Sequence, residues 1–191
     1  ELGIFGTSQC GSLHLREASN NGDDRVSRSF RSTGQPTLYL GDVREVIVHS
    51  ARTLGGLIVY EGRSLHSLHL EGSFPSLSKL SIRKAPQLRY LAAPHSGSAP
   101  NLEVSFYRNA NVPLLRLLKA PGAAHPGIST LLTGSQSHPP LYEVDVRRSG
   151  IDDEQLARLA EVPTLRILRI SGCGSLTSAG IAAFKTARPD V

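Results

Sequence analysis

A short phrase, apolar-x-x-apolar-x-apolar, recurs along this chain and limits what it can fold into. It stands at Val43-Val46-Val48, Leu54-Leu57-Val59, Leu65-Leu68-Leu70 and Leu77-Leu80-Ile82, then partially at Leu88 and Leu91. A degraded copy (Leu102, Val104, Phe106) and Leu114-Leu117 follow, and Leu141-Val144-Val146 and Leu165-Leu168-Ile170 close the series. Successive starts lie 11, 11, 12, 11, 14, 12, 27 and 24 residues apart. The second and third apolar positions alternate as in a strand and so share one face. The first lies three residues earlier, and only a bend can turn its side chain to that same face. Each phrase therefore predicts a very short strand entered through a corner. Units of this kind stack into a parallel array around a column of Leu, Val and Ile.

Composition agrees with a repetitive aliphatic core. Leucine occurs 27 times in 191 residues, while Trp and Met are absent. No apolar run approaches the roughly 18–20 residues that cross a bilayer, so no membrane association is expected. Cys10 and Cys173 are too far apart for a short-spaced metal motif, and two thiols do not make a disulfide framework. With no N-x-Ser/Thr sequon, this leans towards an intracellular home, compartment unspecified.

The last fifty residues carry the most specific pattern. Leu141 to Ile151 supply the strand phrase and an apolar turn residue. Asp152 is placed as an N-cap with Gln155 in capping-box position. Leu156, Leu159 and Ala160 form the buried stripe of a helix over 153–161, which Pro163 ends. After Leu165–Ile170 comes Ser171-Gly172-Cys173, and then Leu176-Thr177-Ser178-Ala179-Gly180-Ile181 opens a second helix, 179–187. This segment resembles leucine-rich repeats, in particular the cysteine-containing subtype of F-box proteins, whose second half is similar to Leu-Thr-Asp-Ala-Gly-Ile. Ser178 replaces the usual acidic residue. The resemblance covers 141–191. It implies an α/β fold, a short leucine-rich-repeat solenoid with parallel strands, an inward-facing Cys173 and a fully buried Leu168. It also implies a role in binding other proteins.

The middle of the chain matches more loosely, because 11–12 residues is half a leucine-rich repeat. Two phrases per coil, one strand on each side, give coils of about 22–23 residues. The rival architecture is an antiparallel meander of short strands. The organisation expected is a loop-rich N-terminal cap over 1–36, irregular short repeats over 37–120, a Pro/Gly/Ser loop over 121–140 and regular repeats over 141–191. Leu13 and Leu15 are candidates for a strand in the cap. Ile128, Leu131 and Leu132 are candidates for one helical turn in the loop.

Nothing in the chain has the pattern of a catalytic centre. His66 and His69 fall within a strand phrase, where alternation separates them. His95, His125 and His138 lie in loops without the spacing of a zinc site. The run Gly6–Gly11 lacks the Lys-Ser/Thr of a phosphate loop, and no Gly-x-Ser-x-Gly elbow occurs. Asp152, Asp153 and Glu154 suit capping and the helix dipole. The expectation is a non-enzyme without metal or cofactor.

Charge is more informative. The net of +5 comes from 21 basic and 16 acidic residues, with 17 Arg to 4 Lys. The excess lies wholly in 36–136. Non-core strand positions should present Lys79, Arg83, Tyr90, Arg116, Arg147 and Arg169 on one concave surface, suited to bidentate contacts with carboxylates or phosphates. The first expectation is a protein–protein interaction module, a scaffold or adaptor. The alternative is an RNA-contacting subunit of a ribonucleoprotein. The third, carried by the terminal repeats, is the substrate-recognition part of a ubiquitin-ligase adaptor or effector.

Overall fold

The structure, a computed structural model, describes residues 3–5, 12–15, 37–39, 43–50, 52, 54–60, 62–95, 97–107, 112–133 and 138–191. In chain order come β1 (Gly3–Phe5), β2 (Ser12–Leu15), β3 (Thr37–Tyr39), β4 (Glu45–His49), β5 (Gly56–Tyr60), β6 (Ser67–Glu71) and β7 (Lys79–Arg83). Then follow β8 (Tyr90–Ala92), β9 (Glu103–Phe106), β10 (Leu117–Lys119), α1 (Ile128–Leu132), β11 (Glu143–Asp145), α2 (Asp153–Ala160), β12 (Ile167–Arg169) and α3 (Ser178–Ala187). The fold is α/β, with parallel strands in two sheets and three helices among the described residues.

The strands are dealt alternately to the two sheets. One has the order β1-β3-β5-β7-β9, the other β12-β11-β10-β8-β6-β4-β2. Every pairing between these strands is parallel, which removes the antiparallel meander. Register follows the apolar phrase. Val46, Leu68, Leu91, Leu118, Val144 and Leu168 stand opposite one another in turn across the seven-stranded sheet. Leu57, Leu80 and Val104 do the same in the five-stranded one. After β9 helices take over the second layer. α1 packs on β9 and on α2, and α2 on α3.

The corner before β6, β7, β8, β9, β10 and β12 is a hydrogen-bonded turn. Leu65, Leu77, Leu88, Leu102, Leu115 and Leu165 each donate the backbone N–H to the carbonyl three residues earlier, at 3.1–3.2 Å. In five of these six turns proline follows the residue whose carbonyl accepts: Pro75, Pro86, Pro100, Pro113 and Pro163. Proline presets the φ that this turn position needs and surrenders an N–H the turn does not use. The turn corrects one register. Leu115 and Leu118 are fully buried, rather than Leu114 and Leu117, because Val112-Pro113 places the bend one residue later.

A second position recurs at the strand exits. Two residues beyond the last core side chain the backbone is left-handed at Gly72 (φ 93°), Gly122 (75°) and Gly172 (76°), as glycine permits. In two units a cation takes that place, Lys84 at 54° and Arg148 at 56°. Left-handed backbone costs a residue with a Cβ roughly 1–2 kcal/mol.

One apolar cluster runs from Val43 to Phe184 between the layers. It thins at the C-terminal end, where Leu168, Ile170, Cys173, Leu176 and Ile181 are only partly buried. Full burial of Leu168 is thus not observed, since β12 has a strand neighbour on one side alone among the described residues. Asp152 caps α2 as expected, its Oδ1 accepting from the Gln155 N–H at 2.8 Å. The reciprocal half differs from a capping box. The Gln155 side chain donates to the Asp152 carboxylate, not accepting from its backbone, and leaves Oε1 buried and unpaired. α1 lies within the expected 121–140 loop and buries Ile128, Leu131 and Leu132. β2 falls on the Leu13 and Leu15 candidates; Cys10 and the polar stretch 16–36 lie outside the described residues. No helix among the described residues is long and apolar enough to cross a membrane.

Candidate functional site

Alternation between sheets divides the predicted surface. Lys79 and Arg83 lie on β7 of the five-stranded sheet, while Tyr90 and Arg169 lie on β8 and β12 of the seven-stranded one. Arg116 immediately precedes β10 and Arg147 follows β11 by two residues, at opposite ends of their strands. The six candidates therefore do not form one face. Collecting the outward positions of both sides of the coil into one concave surface merged two faces that the fold separates.

On the five-stranded side, Arg83 sits with its guanidinium carbon 4.7 Å from the centre of the Tyr107 ring, and its buried Nε has no hydrogen-bond partner. Lys79 stands opposite Glu103. Nearby, Lys84 lies 5.1 Å from the centre of the Tyr60 ring and donates to its hydroxyl at 3.4 Å. A cation over an aromatic face is stabilised by the ring quadrupole.

On the seven-stranded side many charges neutralise one another. Arg169 and Lys119 (3.7 Å) both reach Glu143. Arg147 grips Asp145 with Nε at 2.9 Å and Nη2 at 2.8 Å. Burial opposes ionisation of Asp145, but the Arg147 hydrogen bonds and charge, with Arg169, hold its carboxyl below the usual carboxylate range. Arg147 in turn is pushed further up by that carboxylate.

A different set of cations is aligned and less engaged. At the entry to the seven-stranded sheet the backbone N–H of His66 donates to Arg44, Arg89 to His66, Arg116 to Arg89, Tyr142 to Arg116 and Arg166 to Tyr142, at 2.7–3.0 Å. These six residues form one row across the strand starts. All but His66 are exposed. Arg166 pairs with Asp190 at 3.1 Å, whereas Arg44, Arg89 and Arg116 form no ion pair with another described residue. The equivalent row on the other sheet is Gly55, Ser78 and Glu103. Arg116 belongs to the predicted set; Arg44 and Arg89 do not. Their signal was available as the residue after the first apolar position in alternate phrases, and it emerges only when odd and even phrases are read apart.

His66 lies just before β6 and His69 within it. His66 Nδ1 lies 2.6 Å from the Ser64 carbonyl, while His69 is an outward position of β6. Among the described residues no group of three or more His, Cys, Asp or Glu could hold a metal ion. Comparison with known protein families, curated proteins and solved structures finds no match.

Proposed function

We propose that this chain is a non-catalytic protein-interaction module, a short solenoid of the leucine-rich-repeat kind, and that the entry edge of its seven-stranded sheet is the docking surface. The observation that carries this reading is the row Arg44, His66, Arg89, Arg116, Tyr142, Arg166, fixed by backbone hydrogen bonds and matched by Gly, Ser and Glu on the other sheet. Strands lie about 4.8 Å apart, so the row spans roughly 24 Å. Arg and Tyr are the residue types in which binding energy concentrates. Guanidinium groups held at regular intervals suit an acidic, extended segment of a partner.

RNA is the second reading, since the same row could meet phosphates. The neighbouring outward positions of the strands argue against it. Glu45 and Glu143, the first residues of β4 and β11, each adjoin a member of the row, and they would repel a polyanion more than a partner of mixed charge.

The deciding experiment reverses charge at Arg89 and Arg116 together, both exposed. Partners captured by the native chain, and cross-linked to the entry edge, should be lost by the double Glu variant with no change in its melting temperature. Retention of those partners would refute the assignment. A labelled RNA titrated over a salt series separates the second reading, because phosphate contacts weaken steeply as salt rises.

A further inference from the structure

The two cations at left-handed exit positions have different fates. Lys84 has a use within the fold, the Tyr60 ring and hydroxyl. Arg148 has none: its side chain makes no hydrogen bond or ion pair with another described residue. Glycine would take the same backbone without strain, as at Gly122 and Gly172 on either side. A strained conformation held by a residue with no internal partner points to an external one.

The surroundings say what kind. Arg148 lines a cleft of about 210 Å³ with His95, Pro121, Arg147 and Ser171. That is smaller than the roughly 300–1,000 Å³ of sites for whole small molecules, and suits a single functional group. Every polar side chain lining it can donate. Arg147 commits Nε and one Nη2 proton to Asp145, which leaves three of its five N–H donors. Asp145 cancels the charge of Arg147, so Arg148 supplies the net positive charge. Gly172 makes room, because a Cβ there would approach the Arg148 Cγ to 3.0 Å.

We infer that this cleft binds the phosphoryl group of a phosphorylated serine or threonine in a partner polypeptide. Donors converge from three separate loops, after β8 (His95), β11 (Arg147, Arg148) and β12 (Ser171). A tetrahedral group with three acceptor oxygens and a charge of about −1.5 to −2 matches them in acceptor number and in charge. A planar carboxylate, with two oxygens and one charge, does not. The inference rests on the protein-interaction reading and gives its partner a modification state.

The test is a solution titration of the whole chain, followed by NMR at the Arg148 Nε–H and the Ser171 amide. The ligands are a short glycine–alanine peptide carrying one phosphoserine, the same peptide with Ser or Glu, and inorganic phosphate. The phosphoserine peptide should shift both signals in a saturable way and bind at least tenfold more tightly than the Ser and Glu forms. Arg148→Gly removes the side chain and relieves the backbone, so it should keep or raise the melting temperature while losing at least tenfold in affinity. Lys84→Gly relieves the same kind of strain and should bind as the native chain does. The inference is overturned by equal binding of the Glu peptide, by binding of free phosphate without the phosphopeptide, by no saturable shift, or by full binding in Arg148→Gly. If Arg148→Gly retains a partner that the Arg89 and Arg116 reversal loses, the cleft assignment alone fails; if both retain it, the docking edge fails as well.

Discussion

Leu91→Ala and Leu168→Ala remove the same atoms from the same ladder of the seven-stranded sheet, at different distances from its end. Leu91 is fully buried, with Leu68 on one side and Leu118 on the other. Large-to-small changes at buried leucines cost about 2–5 kcal/mol, most where the cavity cannot collapse. A position held by strands on both flanks belongs in the upper part of that range, about 3–5 kcal/mol. Leu168 is only partly buried and has Val144 on one side. Part of its surface already meets solvent, so the loss there should be about 1–2 kcal/mol. For a chain of this size each kcal/mol moves Tm by roughly 2–4 °C, which separates the two variants clearly. Urea unfolding followed by circular dichroism measures both. A cost at Leu168 equal to that at Leu91 would mean that the last strand is covered in solution. A cost below about 0.5 kcal/mol at Leu91, ordinary for surface changes, would refute the strand register.

Other expectations follow from single contacts. Asp190 accepts from Arg188 at 2.9 and 3.0 Å and from Arg166 at 3.1 Å, and the Arg188 hydrogen bonds lower its pKa from 3.8 to about 2. A depressed carboxylate contributes stability that is complete above its ordinary pKa and lost as pH falls towards 2. Asp190→Asn should remove that component of acid sensitivity between about pH 4 and 2, as read from Tm against pH; an unchanged profile would contradict the pairing. Gly150→Ala should destabilise by about 1–3 kcal/mol, because the new Cβ would fall 2.0 Å from the Ala124 carbonyl oxygen; a neutral result in urea unfolding would contradict that close approach. Cys173 lies partly buried with Sγ 3.0 Å from the Val146 carbonyl. It should react with a thiol reagent more slowly in the native chain than in urea, with Cys10 replaced, and equal rates would place the thiol outside.

The apolar phrase made the strands, their parallel stacking and most of the core legible, because a side chain that must be buried leaves a period in the sequence. The Leu114/Leu115 ambiguity arose where two adjacent leucines both fit. Proline at position 113 resolves it, and its partners at 75, 86, 100 and 163 mark the same turn. The candidate surface was less legible, because an exposed arginine carries no period of its own. Arg83 follows the last apolar position of its phrase and Arg116 the first of its own, and the dealing of phrases to two layers separates them further. The exit cations were hidden for a different reason: nothing in the letters of Arg148 reports a positive φ.

The change of partner layer after β9 has a geometric consequence. Neighbouring strands sit about 4.8 Å apart, whereas packed helices need about 8–10 Å between axes. Where strand faces strand, as from β4 to β9, the two walls advance at the same pitch and the stack can run straight. Where α1, α2 and α3 back the seven-stranded sheet, the outer wall needs almost twice the room of the inner one. Each of those units is thicker on its helical side than on its strand side. The Arg116–Tyr142–Arg166 part of the entry row lies in the units followed by helices and the Arg44–His66–Arg89 part in those followed by strands. A partner lying along the row therefore rests on two kinds of backing, a thin strand layer at one end and a thicker helical one at the other.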